Sequence, residues 1–202
     1  QVYLLRGFFL KHGSVYYVNY PTHGFSTELI FAQLDDLVHE LAIDHGQLPV
    51  ILGVSFGAGL VLEWLKRARR LSRTRTIRGL VLVSPVACVE DLLAPGDAKP
   101  TTLLGRAIKP YLAESGRPDS NAIERSRAIF TKMFESGAQN KEALRGLLTR
   151  QELQHLRNAV MATLQSISPT GAFERVQALR RLESPSTYFS QTLLPLSEAP
   201  TL

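Results

Sequence analysis

"PVILGVSFGAGLVLEW", residues 49–64, carries an apolar run of strand character straight into one of helical character, with Ser55 at the junction. Gly53 and Gly57 stand two residues to either side, so the stretch has the form G-x-S-x-G. That pattern requires a very tight strand-to-helix turn with the serine at its tip. The flanking glycines keep strand and helix from colliding, since any Cβ there would have to occupy the inside of the turn. A turn of this kind lifts the serine oxygen above the sheet edge and aims the first N–H groups of the helix at whatever approaches it. With Gly and Ser each near ~7% of residues, the bare pattern arises by chance in roughly one chain of this length in fifteen. The strand before it and the helix after it supply the specificity. A phosphate-binding loop does not fit, because the lysine and the following serine or threonine of that motif are absent.

Working outward, "LPVILGV" (48–54) predicts a strand apolar throughout and therefore covered on both faces. "FGAGLVLEWLKRARR" (56–70) predicts a helix, and "IRGLVLV" (77–83) another buried strand. Upstream, Leu29, Ile30, Leu34, Leu37, Val38 and Leu41 recur at helical spacing between Thr27 and His45, with Gly46 placed to end the helix. "QVYLL" at the start and "SVYYVNY" (14–20) read as two further strands, the second closed by the turn "PTHGFS". Strands alternating with helices predict an α/β fold built on a mostly parallel sheet.

After Ser84-Pro85 the pattern changes to helices with almost no strand signal. "TRQE" (149–152) is a capping box opening one of them. The expected organisation is therefore a core over residues 1–87, an inserted helical cap over 88–195, and the start of a further core strand over 196–202. One connection resists this scheme. Only "FFLKHG" separates Gly7 from Ser14, whereas a parallel crossover needs about a dozen residues. Either the first two strands form an antiparallel hairpin or residues are missing between about Phe8 and Lys11, and omission is the favoured expectation.

The totals narrow the class. At 202 residues, with 45% hydrophobic and 20% charged, the chain has the profile of a globular protein with a substantial core. No apolar stretch reaches the ~18 residues of a membrane span. A single cysteine, Cys88, excludes an internal disulfide framework and points to a reducing compartment, the cytoplasm. The net charge of +5 comes largely from "KRARRLSRTRTIR" (66–78). Helix-terminal cations and a solvated loop account for that run, and without interleaved aromatics it does not predict nucleic-acid binding. The opening at Gln1 and the stop at Leu202 give the expectation of an incomplete chain.

The stretch from Val2 to Val86 resembles the α/β-hydrolase family in motif order. "LLRGF" is similar to the loop after that family's third strand, with Arg6-Gly7 where many members have His-Gly. "NYPTHGFS" resembles the turn after its fourth strand, "LGVSFGAG" its nucleophile elbow, and "IRGLVLVSP" its sixth strand. "LPLSEAPTL" resembles the approach to the seventh. The resemblance implies Ser55 as nucleophile, with Gly53 and Gly57 as the elbow glycines. It implies an oxyanion hole formed by the backbone N–H groups of Phe56 and Phe8. The same family order places the triad acid and histidine after the seventh strand, beyond Leu202.

A serine hydroxyl needs a histidine base, itself oriented by a carboxylate, to be a useful nucleophile at neutral pH. The one histidine after Ser55 is His155, whose place in a helical pattern reads as partly exposed, and His23 reads as part of a turn. Glu90 and Asp91 lie well past the end of the strand at Val83. The expected function is a serine hydrolase that cleaves a carboxylic ester or related acyl compound through an acyl-enzyme at Ser55. Its substrate would be a small, hydrophobic acyl or ester compound, with no cofactor or metal. The alternatives are an acyltransferase on the same scaffold and a non-catalytic binding protein.

Overall fold

A computed structural model of the chain describes residues 2–71, 77–92, 102–112, 118–138, 149–182, 195–197 and 199–202. Its elements run α1 (Val2–Phe9), α2 (Thr27–Ile43), β1 (Val50–Val54), α3 (Phe56–Arg70) and β2 (Gly79–Val83), then a 3-10 turn at Val89–Asp91. Four helices follow: α4 (Leu103–Leu112), α5 (Ser120–Ala138), α6 (Arg150–Ser166) and α7 (Pro169–Arg180).

β1 and β2 pair in parallel, Val50 opposite Gly79 through Val54 opposite Val83. The end of the chain lies on the far side of β2, where Leu80 and Thr201 form a parallel bridge. Leu80 N–H donates to the Pro200 carbonyl, and Leu202 N–H to that of Leu80, each at 2.9 Å. The sequence 77–83 therefore has a backbone partner on both edges, which suits its apolar composition.

Packing follows helical periodicity. Ile30, Phe31, Leu34 and Val38 of α2 meet Leu60, Val61, Trp64 and Leu65 of α3, together with Leu80, Val86, Leu179 and Leu182, in one buried cluster. Trp64 is satisfied as well as buried, its indole N–H donating to Asp35 at 2.7 Å. Helix α2 starts on Ser26, whose hydroxyl accepts the Leu29 N–H. Its last residue is Ile43, capped by Asp44, whose N–H donates to the Glu40 carbonyl at 2.8 Å. Gly46, the expected stop glycine, lies two residues past that cap with a left-handed φ of +59°, and Gln47 N–H there bonds back to the Leu41 carbonyl at 2.9 Å.

Two predicted strands are corrected. Residues 2–9 are helical, and the following turn is closed by Leu10 N–H to the Arg6 carbonyl at 2.9 Å and His12 N–H to that of Phe9 at 2.8 Å. So the short spacer makes no hairpin: it carries α1 into a turn. A helix satisfies its own backbone groups, whereas a strand here would need a partner the spacer could not deliver. Residues 14–20 form no regular element and pair with no strand among the described residues. Val18 and Tyr20 pack against the core, whereas Tyr16 and Tyr17 are exposed. Propensity measures how well a side chain suits a pleated surface and does not by itself create the ladder.

A third correction concerns β1. Gly53 is buried and Ile51 partly so, but Val50, Leu52 and Val54 are 58, 40 and 53% exposed. Among the described residues the strand is covered on the α3 side alone.

Downstream, α4 packs against α5 and α7, and α5 against α6. The capping box at the start of α6 forms as expected: Glu152 N–H donates to the Thr149 hydroxyl at 3.2 Å, and Thr149 N–H to the Glu152 carboxylate at 2.7 Å. In the basic run, 66–71 and 77–78 are described, whereas 72–76 lie outside the described residues.

Candidate active site

The stretch that opened the sequence folds into the predicted reversal. Ser55 stands between the last residue of β1 and the first of α3 with φ 53° and ψ −121°, a conformation that only an over-determined backbone holds in a non-glycine residue. Ser55 is exposed to solvent. Its side chain makes no capping bond to α3, so the hydroxyl is not spent on stabilising the helix.

The turn is held from the end of the neighbouring strand. Ser55 N–H donates to the Val83 carbonyl at 2.8 Å, and the Ser55 carbonyl accepts from Val86 N–H at 3.1 Å. Residues 83–86 thus grip both backbone groups of the serine. Ser84, inside that grip, also has a left-handed φ of 45°. Sequence reading missed it, because nothing in "VSPV" marks a positive φ, and only the parallel register shows that it neighbours Ser55.

The glycines act through close approach. A Cβ on Gly53 would lie 2.7 Å from the Ala58 Cα, and one on Gly57 would lie 3.1 Å from the Tyr20 hydroxyl. Gly59, not singled out by the G-x-S-x-G pattern, is tighter still, with the Val86 carbonyl in the space a side chain would need. A second glycine two residues after Gly57 in the first turn of α3 was the available signal.

Of the first N–H groups of α3, those of Ala58 and Gly59 are taken by the Ser55 carbonyl at 3.0 and 3.2 Å. For Phe56 and Gly57 no acceptor is found among the described residues. These two donors, at the positive end of a 15-residue helix, form a place where negative charge is favoured beside the serine.

Phe8, the other expected donor, lies within α1. Its side chain is 56% exposed and its ring contacts are Phe9 and His12. The predicted loop after a first strand is helical, and no bond or ring contact joins Phe8 to Ser55 among the described residues.

No histidine hydrogen-bonds Ser55 among the described residues. His155 is exposed on α6, as its spacing predicted. His23 pairs its Nδ1 with the Thr22 hydroxyl at 2.8 Å. Asp91 is engaged elsewhere, its carboxylate accepting from Ala87 N–H at 2.7 Å and Cys88 N–H at 3.2 Å, which closes the 3-10 turn. The Cys88 thiol is buried, and desolvation raises its pKa, with hydrogen bonding to Glu90 adding to the rise. It is held as an inert thiol.

The turn 20–26 lies against the elbow and against α7. Phe25 packs on Phe56 with ring centroids 5.7 Å apart and edge-on to Tyr20 at 5.4 Å. From α7, Glu174 accepts the Phe25 N–H at 2.7 Å, and Arg175 donates to the Pro21 carbonyl at 2.6 Å. Ser168 N–H reaches the Thr22 carbonyl at 2.9 Å. The Arg175 guanidinium also lies 5.6 Å over the Phe25 ring.

Two cavities flank this junction. One, of about 380 Å³, lies between the start of α2 and α7, with Phe25, Thr27, Glu174 and Gln177 in its walls. The other, of about 170 Å³, is apolar and sits among α4–α7, lined by Tyr111, Ile123, Phe130, Leu164 and Val176, with Arg175 at its wall. Ser55 lines neither. Among the described residues no cluster of His, Cys, Asp and Glu could hold a metal ion, and no helix is long and apolar enough to cross a membrane.

Comparison with known proteins agrees with this geometry at the level of the family. No curated protein and no solved structure matches the chain. Residues 2–195 match the alpha/beta hydrolase family, a span that takes in the elbow, the parallel strand pair and the helices that follow. With the strained serine between β1 and α3, the chain belongs to the alpha/beta hydrolase family.

Proposed function

We propose that the protein is a serine hydrolase that cleaves a carboxylic ester or related acyl compound through an acyl-enzyme at Ser55. One observation carries the reading. An exposed serine is held at φ 53° between a strand and a helix whose first two N–H groups find no acceptor among the described residues, a costly backbone state. Such a serine presents its oxygen to an acyl carbon while the Phe56 N–H stands ready for the oxyanion that develops. In this reading the general base is a histidine oriented by a carboxylate, in the roles the family assigns to the two residues that follow the nucleophile in chain order.

Helices α4–α7 act in this reading as a cap. Their apolar cavity supports a small or medium hydrophobic acyl group. Contact from that cavity to the elbow runs through Arg175, Phe25 and Phe56. Transfer of the acyl group to an alcohol or thiol would use the same parts.

The test is hydrolysis of p-nitrophenyl butyrate by the full chain and by Ser55→Ala. The reading requires activity that falls by roughly 10⁴–10⁶-fold on removal of the nucleophile. Unchanged turnover in Ser55→Ala, or none in the unaltered protein, would remove it.

A further inference from the structure

The geometry points to the Tyr20 hydroxyl as the second oxyanion-hole donor, acting with the Phe56 N–H in the role the family resemblance implied for Phe8. This inference rests on the acyl-enzyme reading of Ser55 and adds to it a side-chain donor from the turn after residues 14–20.

The starting point is a vacancy in function. A tetrahedral intermediate is best held by two or more donors, and the structure keeps Phe8 inside α1, so the backbone donors come from the start of α3 alone. Tyr20 comes from a separate segment, the turn 20–26, and reaches that same end of the helix. Its hydroxyl faces the first turn of α3, 3.1 Å from the point a Cβ on Gly57 would occupy. A side chain at residue 57 would push it away, which gives that glycine a purpose besides backbone shape. The ring is fixed by edge-on packing against Phe25, and Phe25 rests on Phe56 beside the serine. Among the described residues the hydroxyl has no hydrogen-bond partner, although a half-buried phenol ordinarily finds one.

The electrostatics favour a donor. Desolvation raises the Tyr20 pKa, and the Arg175 charge lowers it in part. The phenol therefore keeps its proton at neutral pH, while the neighbouring cation polarises the O–H bond. In the reaction, the Ser55 oxygen forms a bond to the acyl carbon and passes its proton to the histidine base. The carbonyl π pair moves onto the carbonyl oxygen. Tyr20 donates a hydrogen bond to that oxygen and transfers no proton, so it returns unchanged when the intermediate collapses.

The discriminating variant is Tyr20→Phe in the full chain, which removes one oxygen and keeps the ring packing. With p-nitrophenyl butyrate the expected result is a fall of about 10²-fold in kcat, with KM held within about twofold. The melting temperature should be unchanged, and a fluorophosphonate should still reach Ser55, more slowly. If Tyr20→Phe turns over at the unaltered rate, Tyr20 is not a donor and the hydrolase reading survives. A loss confined to KM, or one accompanied by a lower melting temperature, makes the hydroxyl a packing group and also overturns the inference. If the unaltered protein neither hydrolyses the ester nor reacts at Ser55, the hydrolase reading fails and this inference with it.

Discussion

The Val86 carbonyl oxygen fills the space a side chain on residue 59 would need, while the Val86 N–H holds the Ser55 carbonyl at 3.1 Å. One peptide segment therefore sets both how closely α3 approaches the sheet and how the serine turn is held. Gly59→Ala should destabilise the protein by about 1–3 kcal/mol, because the clash is with backbone and cannot be relieved by a rotamer. Alanine's better helix propensity returns at most ~1 kcal/mol of that. Urea unfolding measures the difference, and a variant as stable as the parent would show that the two segments can separate freely.

Ser55 makes a second, opposite prediction. Its left-handed backbone costs roughly 1–2 kcal/mol in any residue with a Cβ, so Ser55→Gly should be more stable than Ser55→Ala by about that amount. Both should be inactive. Equal melting temperatures for the two variants would mean the serine turn carries no strain.

The bond from Phe25 N–H to Glu174 joins α7 to the turn beside the elbow. Glu174→Ala should cost about 1–3 kcal/mol by leaving that amide without its acceptor. Turnover should fall too, since Phe25 supports Phe56 and Tyr20. Glu174→Gln, which keeps an acceptor oxygen, should recover most of both. If alanine and glutamine behave alike, the bond is not what matters at this position.

At the start of α6, hydrogen bonds from the Thr149 backbone, then from its hydroxyl, hold the Glu152 carboxyl below its ordinary pKa. A carboxyl depressed in the folded state stabilises it above the unfolded pKa, and that contribution is lost as pH falls through the folded one. NMR titration should find Glu152 below the usual glutamate value, returning towards it in Thr149→Ala. An unshifted Glu152 in the parent would mean that the box does not form in solution.

What could be read in advance divides along physical lines. The elbow was legible because Gly53, Ser55 and Gly57 have strict local requirements, and the parallel pair was legible from the two apolar runs around it. The helix start at Thr149 follows from capping chemistry confined to four neighbouring residues. The strands proposed for "QVYLL" and "SVYYVNY" failed for the opposite reason. A strand depends on a distant partner, and apolar or aromatic composition alone cannot supply one. Gly59, Ser84 and Tyr20 share that difficulty, since their importance comes from segments 27 to 37 residues away in the chain. Only the folded register brings Val86, Ser55 and Gly57 to them.

Treatment of the full chain with a fluorophosphonate, followed by mass spectrometry of the modified peptide, tests the central claim most directly. The account predicts a single phosphonyl adduct on Ser55, absent from Ser55→Ala and slow to form in Tyr20→Phe. Labelling of another residue, or no labelling of a folded and stable protein, would contradict it.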